Sequence, residues 1–153
     1  MEHIVVYTDG SWKSNTKTGG WSCLMTSGIY WQVLSGGSTE TTISRMELTA
    51  VTSALEALVV PCRVTIISDS MYVVRSVNEW IYSWSLNNWT TYNGKPIKNQ
   101  DLLLRIFTQM SKHTVTAQWI KAHTDNTSVN YLGNGCVDWF AQNSADTAIT
   151  LVQ

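Results

Sequence analysis

Apolar residues come first as a short unbroken run and only later at helical spacing. Ile4-Val5-Val6-Tyr7-Thr8 is apolar and β-branched, and Asp9-Gly10 follows it. This predicts a strand buried on both faces and stopped at the Asp-Gly pair. Two more β-rich stretches, about 20–27 and 29–35, flank Ser27-Gly28 and read as a hairpin. Together the three predict an antiparallel meander. The period then changes: Leu48, Val51, Leu55 and Leu58 recur at helical spacing, with Ala50, Ala54 and Ala57 between them. Pro61 predicts the end of that helix, and Val64-Thr65-Ile66-Ile67 predicts another strand. Helical patterns return over about 71–86 and 100–111, then a strand near 114–120 and a last helix near 136–146. The predicted order is βββαβααβα, an α/β chain forming a single domain over residues 1–153, with helices packed on a mixed sheet.

Composition narrows this picture. At 153 residues, 44% apolar and 14% charged, the chain has enough apolar material for one core and too little charge for a disordered segment. No apolar run approaches the ~20 residues that span a bilayer. The N-terminus turns polar too soon for an export signal, so a soluble, cytoplasmic protein is expected. Cys23, Cys62 and Cys136 are widely spaced with no C-x-x-C pair, which speaks against zinc and disulfides and for reduced thiols. A net charge of −1 argues against a general nucleic-acid coat protein. The charge is unevenly spread, however, and residues 61–121 carry a net of +4 that suits one polyanion locally.

Four acids fall where predicted strands meet loops or helices: Asp9, Glu47, Asp69 and Asp138. Each has an ordinary explanation. Asp9-Gly10 is a common turn pair, Asp69 or Ser70 suits a helix N-cap, Ser44-Arg45-Met46-Glu47 matches a capping box, and Asp138 favours a helix N-terminus. Taken together they are harder to dismiss. Glu47 shares a helical face with Val51, Ala54 and Leu58, so it points at the sheet. If the first and fourth strands are parallel neighbours, Asp9 and Asp69 lie at one sheet edge. Clustered carboxylates call for a counter-cation, and hard oxygen ligands suit Mg²⁺ or Mn²⁺. Two such ions about 4 Å apart activate water against a phosphodiester. His123, opening a polar loop, has a side chain whose ordinary pKa of about 6.5 suits proton shuttling. Further on, residues 84–99 set Trp84, Trp89 and Tyr92 among polar residues, with Lys95 and Lys98 following and Trp80 one turn before Trp84. They form either an aromatic cluster anchoring a loop or a contact for a sugar–phosphate backbone.

Tyr7-Thr8-Asp9-Gly10-Ser11, Arg45-Met46-Glu47-Leu48, Ser68-Asp69-Ser70-Met71-Tyr72-Val73 and Trp119-Ile120-Lys121-Ala122-His123 resemble the type 1 ribonuclease H family, of the bacterial ribonuclease HI kind. The likeness runs in order from about residue 4 to 146. It implies the ribonuclease H-like fold with a five-stranded mixed sheet. It also implies cleavage of the RNA strand of RNA–DNA hybrids with two Mg²⁺ ions, leaving 5′-phosphate and 3′-hydroxyl ends. By resemblance Asp9, Glu47, Asp69 and Asp138 are the metal-binding carboxylates. Asp9 would bridge both ions, Glu47 and Asp69 complete one, and Asp138 the other. His123 matches the family's loop histidine. Gly10 and Ser11 match positions approaching the RNA 2′-hydroxyls. Asn15, Thr42 and Asn134 match polar positions on the hybrid, and the segment holding Trp80, Trp84, Trp89, Lys95 and Lys98 matches the substrate-handling protrusion.

Several positions depart from the family pattern. Ile43 and Met71 stand where polar amides are common, Gly135 where many relatives have an acid, and Leu86-Asn87-Asn88 replaces an often basic stretch. The last change implies weaker hybrid affinity and shallower salt dependence. The spacing from His123 to Asp138 is longer by about five residues, with Val129-Asn130-Tyr131-Leu132 inserted. Asn134 four residues before Asp138 keeps that assignment ahead of Asp146. The rivals are a hybrid-binding module with decayed catalysis and a DNA-cutting resolvase or integrase on the same fold. A phosphatase fits poorly, because Ser11 stands where its second aspartate belongs. The initial methionine and complete last helix favour a free-standing enzyme, and a monomer is expected.

Overall fold

The computed structural model describes residues 1–121, 133–134 and 137–144. Its strands are β1 (Glu2–Lys13), β2 (Thr18–Ser27), β3 (Tyr30–Ser38), β4 (Cys62–Ser68) and β5 (Thr114–Trp119). They form one sheet in the order β3-β2-β1-β4-β5. β1, β2 and β3 pair antiparallel, whereas β4 runs parallel to both β1 and β5. Helix α1 (Ile43–Glu56) follows the meander. After β4 come α2 (Met71–Arg75), a π-helical turn (Ser76–Trp80) and α3 (Ile81–Leu86), then α4 (Gln100–Met110). Residues 137–144 are helical. The mixed five-stranded sheet and the element order are those the periodicity predicts.

Side-chain alternation along β1 sorts the chemistry onto two faces. Ile4 and Val6 join Val64, Ile66 and Cys23 against Leu48, Val51 and Leu55 of α1 and Leu103 and Ile106 of α4, forming the main core. Tyr7 points the other way, where it packs with Ile67 and Val137 in a smaller cluster. The apolar run 4–8 is indeed a strand with cores on both sides, as a centrally placed strand requires.

Four local expectations need correction. β1 does not stop at Asp9-Gly10 but continues to Lys13, because Asp9, Gly10, Ser11, Trp12 and Lys13 each find a partner on β2. The turn preference of Asp-Gly loses to that ladder. At the start of α1 the capping residue is Thr42, whose Oγ1 accepts from the Arg45 N–H at 3.2 Å, so Ser44 and Glu47 form no capping box. Finally, α1 ends at Glu56, short of Pro61, and the helical stretch 71–86 is divided by the π turn. No described helix is long and apolar enough to cross a membrane.

Candidate active site

The sheet brings three of the four acids to one edge. Tyr7 of β1 is the register partner of Ile67 of β4, so Asp9 and Asp69 lie two residues beyond a matched pair, side by side. Parallel pairing ends there and the strands diverge, one continuing along β2 and the other turning into α2. By alternation Asp9 shares the face of Tyr7, where the helical residues 137–144 dock. Asp138 is therefore presented to Asp9, and the two carboxyl groups hydrogen-bond.

Glu47 arrives from the opposite face. A Cβ built on Gly10 would lie 2.7 Å from the Glu47 backbone nitrogen and 2.9 Å from its Cγ. Only a residue with no side chain lets α1 sit this close to β1 at Met46 and Glu47, which brings the Glu47 carboxyl over the strand edge. The Ser70 hydroxyl donates to that carboxylate and also accepts from the Val73 N–H at 3.3 Å, capping α2. One serine thus links α1 to the turn carrying Asp69. Trp119 Nε1 donates to the Asp69 backbone carbonyl at 3.1 Å, and the Ile120 N–H donates to the Ser68 carbonyl, tying β5 to the same turn.

The electrostatics follow from this crowding. Asp9 is only 7% exposed, and its pKa is pushed up to about 9, first by burial and then by the charge of Asp69 and by Asp138. Glu47 is raised too, mainly by burial and by Asp69, against the pull of its Ser70 hydrogen bond. Among the described residues, no lysine or arginine offsets the charge on Asp9. Acids held together without a cationic side chain are a donor set that favours a divalent cation. No described group of three or more His, Cys, Asp or Glu is arranged as a ready-made metal cage. On the donor chemistry the residues fit a divalent cation.

The other predicted residues divide. Gly10 and Ser11 continue β1 past Asp9 and are partly exposed; Asn15 is exposed in the β1–β2 turn. Thr42 spends its hydroxyl oxygen on capping α1. Asn134 is buried, and its Nδ2 has no partner among the described residues. Trp80 and Trp84 pack with ring centroids 5.7 Å apart and planes tilted by 42°, and the Tyr72 ring lies 6.3 Å from Trp80. With Tyr92, Ile97 and Lys98 they line a cleft of about 360 Å³. Trp89 does not join it; its ring packs edge-on against Phe107 of α4 at 5.7 Å. Lys95, although exposed, is also outside the cleft lining. His123 lies outside the described residues.

Sequence reasoning missed Ser22 and the role of Ser70 toward Glu47. A serine set between Trp21 and Cys23, in the apolar middle of β2, was the available signal for Ser22. For Ser70 the capping role was foreseeable, but the second hydrogen bond depends on α1 crossing β1 at Gly10.

An open α/β sheet with acids gathered beyond the ends of two parallel strands defines a class of metal-dependent hydrolase sites. Comparison with known proteins fixes the class further: the RNase H family model matches residues 1–146, and the chain belongs to that family. Ribonuclease H of Rickettsia bellii is 37% identical over 153 residues, spanning 100% of this chain and 96% of that protein. The solution structure of the PFV RNase H domain superposes with a TM-score of 0.81 at 29% identity, covering 96% of each chain. A foamy viral protease–reverse transcriptase in complex with RNA/DNA hybrid gives a TM-score of 0.80 at 24% identity, covering 95% of this chain and 20% of that one.

Proposed function

We propose that this chain is an endonuclease that hydrolyses the RNA strand of RNA–DNA hybrids, leaving 5′-phosphate and 3′-hydroxyl ends. The observation that carries the reading is the convergence of Asp9, Asp69 and Asp138 at one sheet edge, with Asp9 held so far from its ordinary proton affinity. Membership of the RNase H family and a hybrid-bound structure among its neighbours support the substrate.

The family is metal-dependent. In this chain Asp9, Glu47, Asp69 and Asp138 would hold two Mg²⁺ ions, with Mn²⁺ as a substitute. When bound, the ions neutralise the phosphodiester and promote attack by water. The protein's own part is positioning. β1 and β4 fix Asp9 and Asp69 through the sheet ladder; Gly10 admits Glu47, which Ser70 orients. Beyond Asp9, the partly exposed Gly10 and Ser11 would lie where a 2′-hydroxyl is read. The Tyr72, Trp80 and Trp84 cleft, with Lys98 at its rim, offers stacking surface and one cation to the DNA strand. His123 is proposed to move a proton or help product leave. The reading carries with it a cytoplasmic monomer; the free, buried Cys23 and Cys62 accord with a reducing compartment.

Hybrid binding and hydrolysis measured on one preparation test it. Wild type is expected to bind hybrid and cut its RNA strand with Mg²⁺, and Asp69→Asn to bind without cutting. Binding with no metal-dependent cutting by wild type would instead define a decayed module, and cutting of duplex DNA a resolvase-like enzyme.

A further inference from the structure

Ser22 of β2 is the cross-strand partner of Asp9 in the β1–β2 ladder. Directly paired antiparallel residues project to the same face, so both side chains meet the helical residues 137–144. Ser22 is fully buried, and its hydroxyl donates to the Val137 carbonyl at 2.5 Å. One peptide bond separates that carbonyl from Asp138. A second contact holds the same stretch: a Cβ on Gly133 would lie 2.5 Å from the Tyr7 ring, so the backbone there rests directly on the ring.

These contacts do different things. Val137 packs with Tyr7 and Ile67, which sets the distance of the segment from the sheet but not its rotation, because apolar contact has no direction. The Ser22 hydrogen bond is directional and fixes the peptide that leads into Asp138. Losing it removes the directional contact between β2 and this segment and leaves only the apolar packing of Val137. Asp9 and Ser22 sit opposite each other, which places the anchor of Asp138 beside the carboxyl that Asp138 must meet.

We infer that Ser22 is a positioning residue for hydrolysis, acting through Asp138: its hydroxyl sets where the Asp138 carboxyl stands relative to Asp9. The inference rests on the hybrid-nuclease reading above. It assigns Ser22 no contact with substrate.

The test is Ser22→Ala alone and in an Asp138→Asn background, with Ser22→Cys as a size-matched variant carrying a weaker donor. The expected result is a kcat on hybrid lowered by about tenfold to a hundredfold in S22A, the scale on which small misplacements act. KM for hybrid should stay within about twofold, and S22C should fall between S22A and wild type. In the Asp138→Asn background S22A should cause no further loss, since the residue it positions is already disabled. A readout free of turnover is calorimetric titration of the hybrid-free protein with Mg²⁺, where S22A should bind more weakly than wild type. Wild-type kcat and Mg²⁺ binding in S22A would overturn the inference, as would an equal loss with and without Asp138. A wild-type protein that fails to cut hybrid would overturn the nuclease reading instead, while the Mg²⁺ titration would still decide whether Ser22 shapes the site.

Discussion

Asp9 is where the folded chain resists its own chemistry. A carboxyl with a folded pKa near 9 against an ordinary value near 4 keeps its proton in the native state over a pH range where the unfolded chain has lost it. The native state then binds more protons than the unfolded one, so stability falls as pH rises from about 4 toward about 9. Asp9→Asn removes that titration. In the metal-free protein it is expected to raise stability at pH 7 by on the order of 2 kcal/mol and to flatten the pH dependence, while abolishing hydrolysis. Urea unfolding at pH 5 and pH 8 checks this; a mutant less stable than wild type at both would contradict it. Millimolar Mg²⁺ should raise the Tm of wild type at pH 7 and leave that of D9N unchanged, because only a ligand of the native state stabilises it. EDTA should stop hydrolysis and reverse the gain in Tm.

At the scale of elements, the site depends on how closely α1 crosses β1. Gly10→Ala would drive a methyl group into the backbone of Met46 and Glu47, at 2.9 and 2.7 Å, neither of which is a flexible end. The expected cost is about 1–3 kcal/mol, with kcat falling because Glu47 is displaced. Thermal unfolding and steady-state kinetics check it, and unchanged kcat would show that the helix relaxes without moving Glu47. Arg45, whose guanidinium pairs in bidentate fashion with Asp101 at 2.7 and 3.0 Å, ties α1 to α4. Both side chains are exposed enough that this pair contributes no more than about 1 kcal/mol. The order of the elements was legible because buried strands and amphipathic helices carry different periods, and α1 shows its stripe plainly. The extension of β1 through Asp9-Gly10 was not, because a local turn signal says nothing of the strand that will pair beside it. Thr42 rather than Ser44 caps α1 for a similar reason: both fit, and the path of the incoming chain decides. Trp89 turning to Phe107 depends on α4, which lies far from it in sequence. The meeting of Asp9 and Asp69 at one sheet edge was legible from the strand ends they follow, but the link between Ser22 and residue 137 was not, since it joins segments 115 positions apart.

Over the whole molecule, charge and shape set how a hybrid would be held. The protein is near neutral overall, and Leu86, Asn87 and Asn88 are exposed at the end of α3 without a positive charge. Few phosphate contacts mean a shallow dependence of hybrid binding on salt. Leu86→Lys, at a position 88% exposed, should tighten hybrid binding and steepen the log–log salt slope by roughly 0.7–0.9. An unchanged slope would remove the end of α3 from the path of the nucleic acid. On the proposed reading the aromatic cleft would offer stacking and backbone contact to one strand while the carboxylate edge serves hydrolysis of the other.

The most direct measurement is cleavage of an RNA–DNA hybrid labelled on each strand in turn, with Mg²⁺, beside duplex RNA, duplex DNA and both single strands. The account predicts internal cuts in the RNA strand of the hybrid alone, with 5′-phosphate and 3′-hydroxyl products. Cuts in the DNA strand, in duplex DNA or in duplex RNA at a similar rate, or no cuts in any substrate, would contradict it.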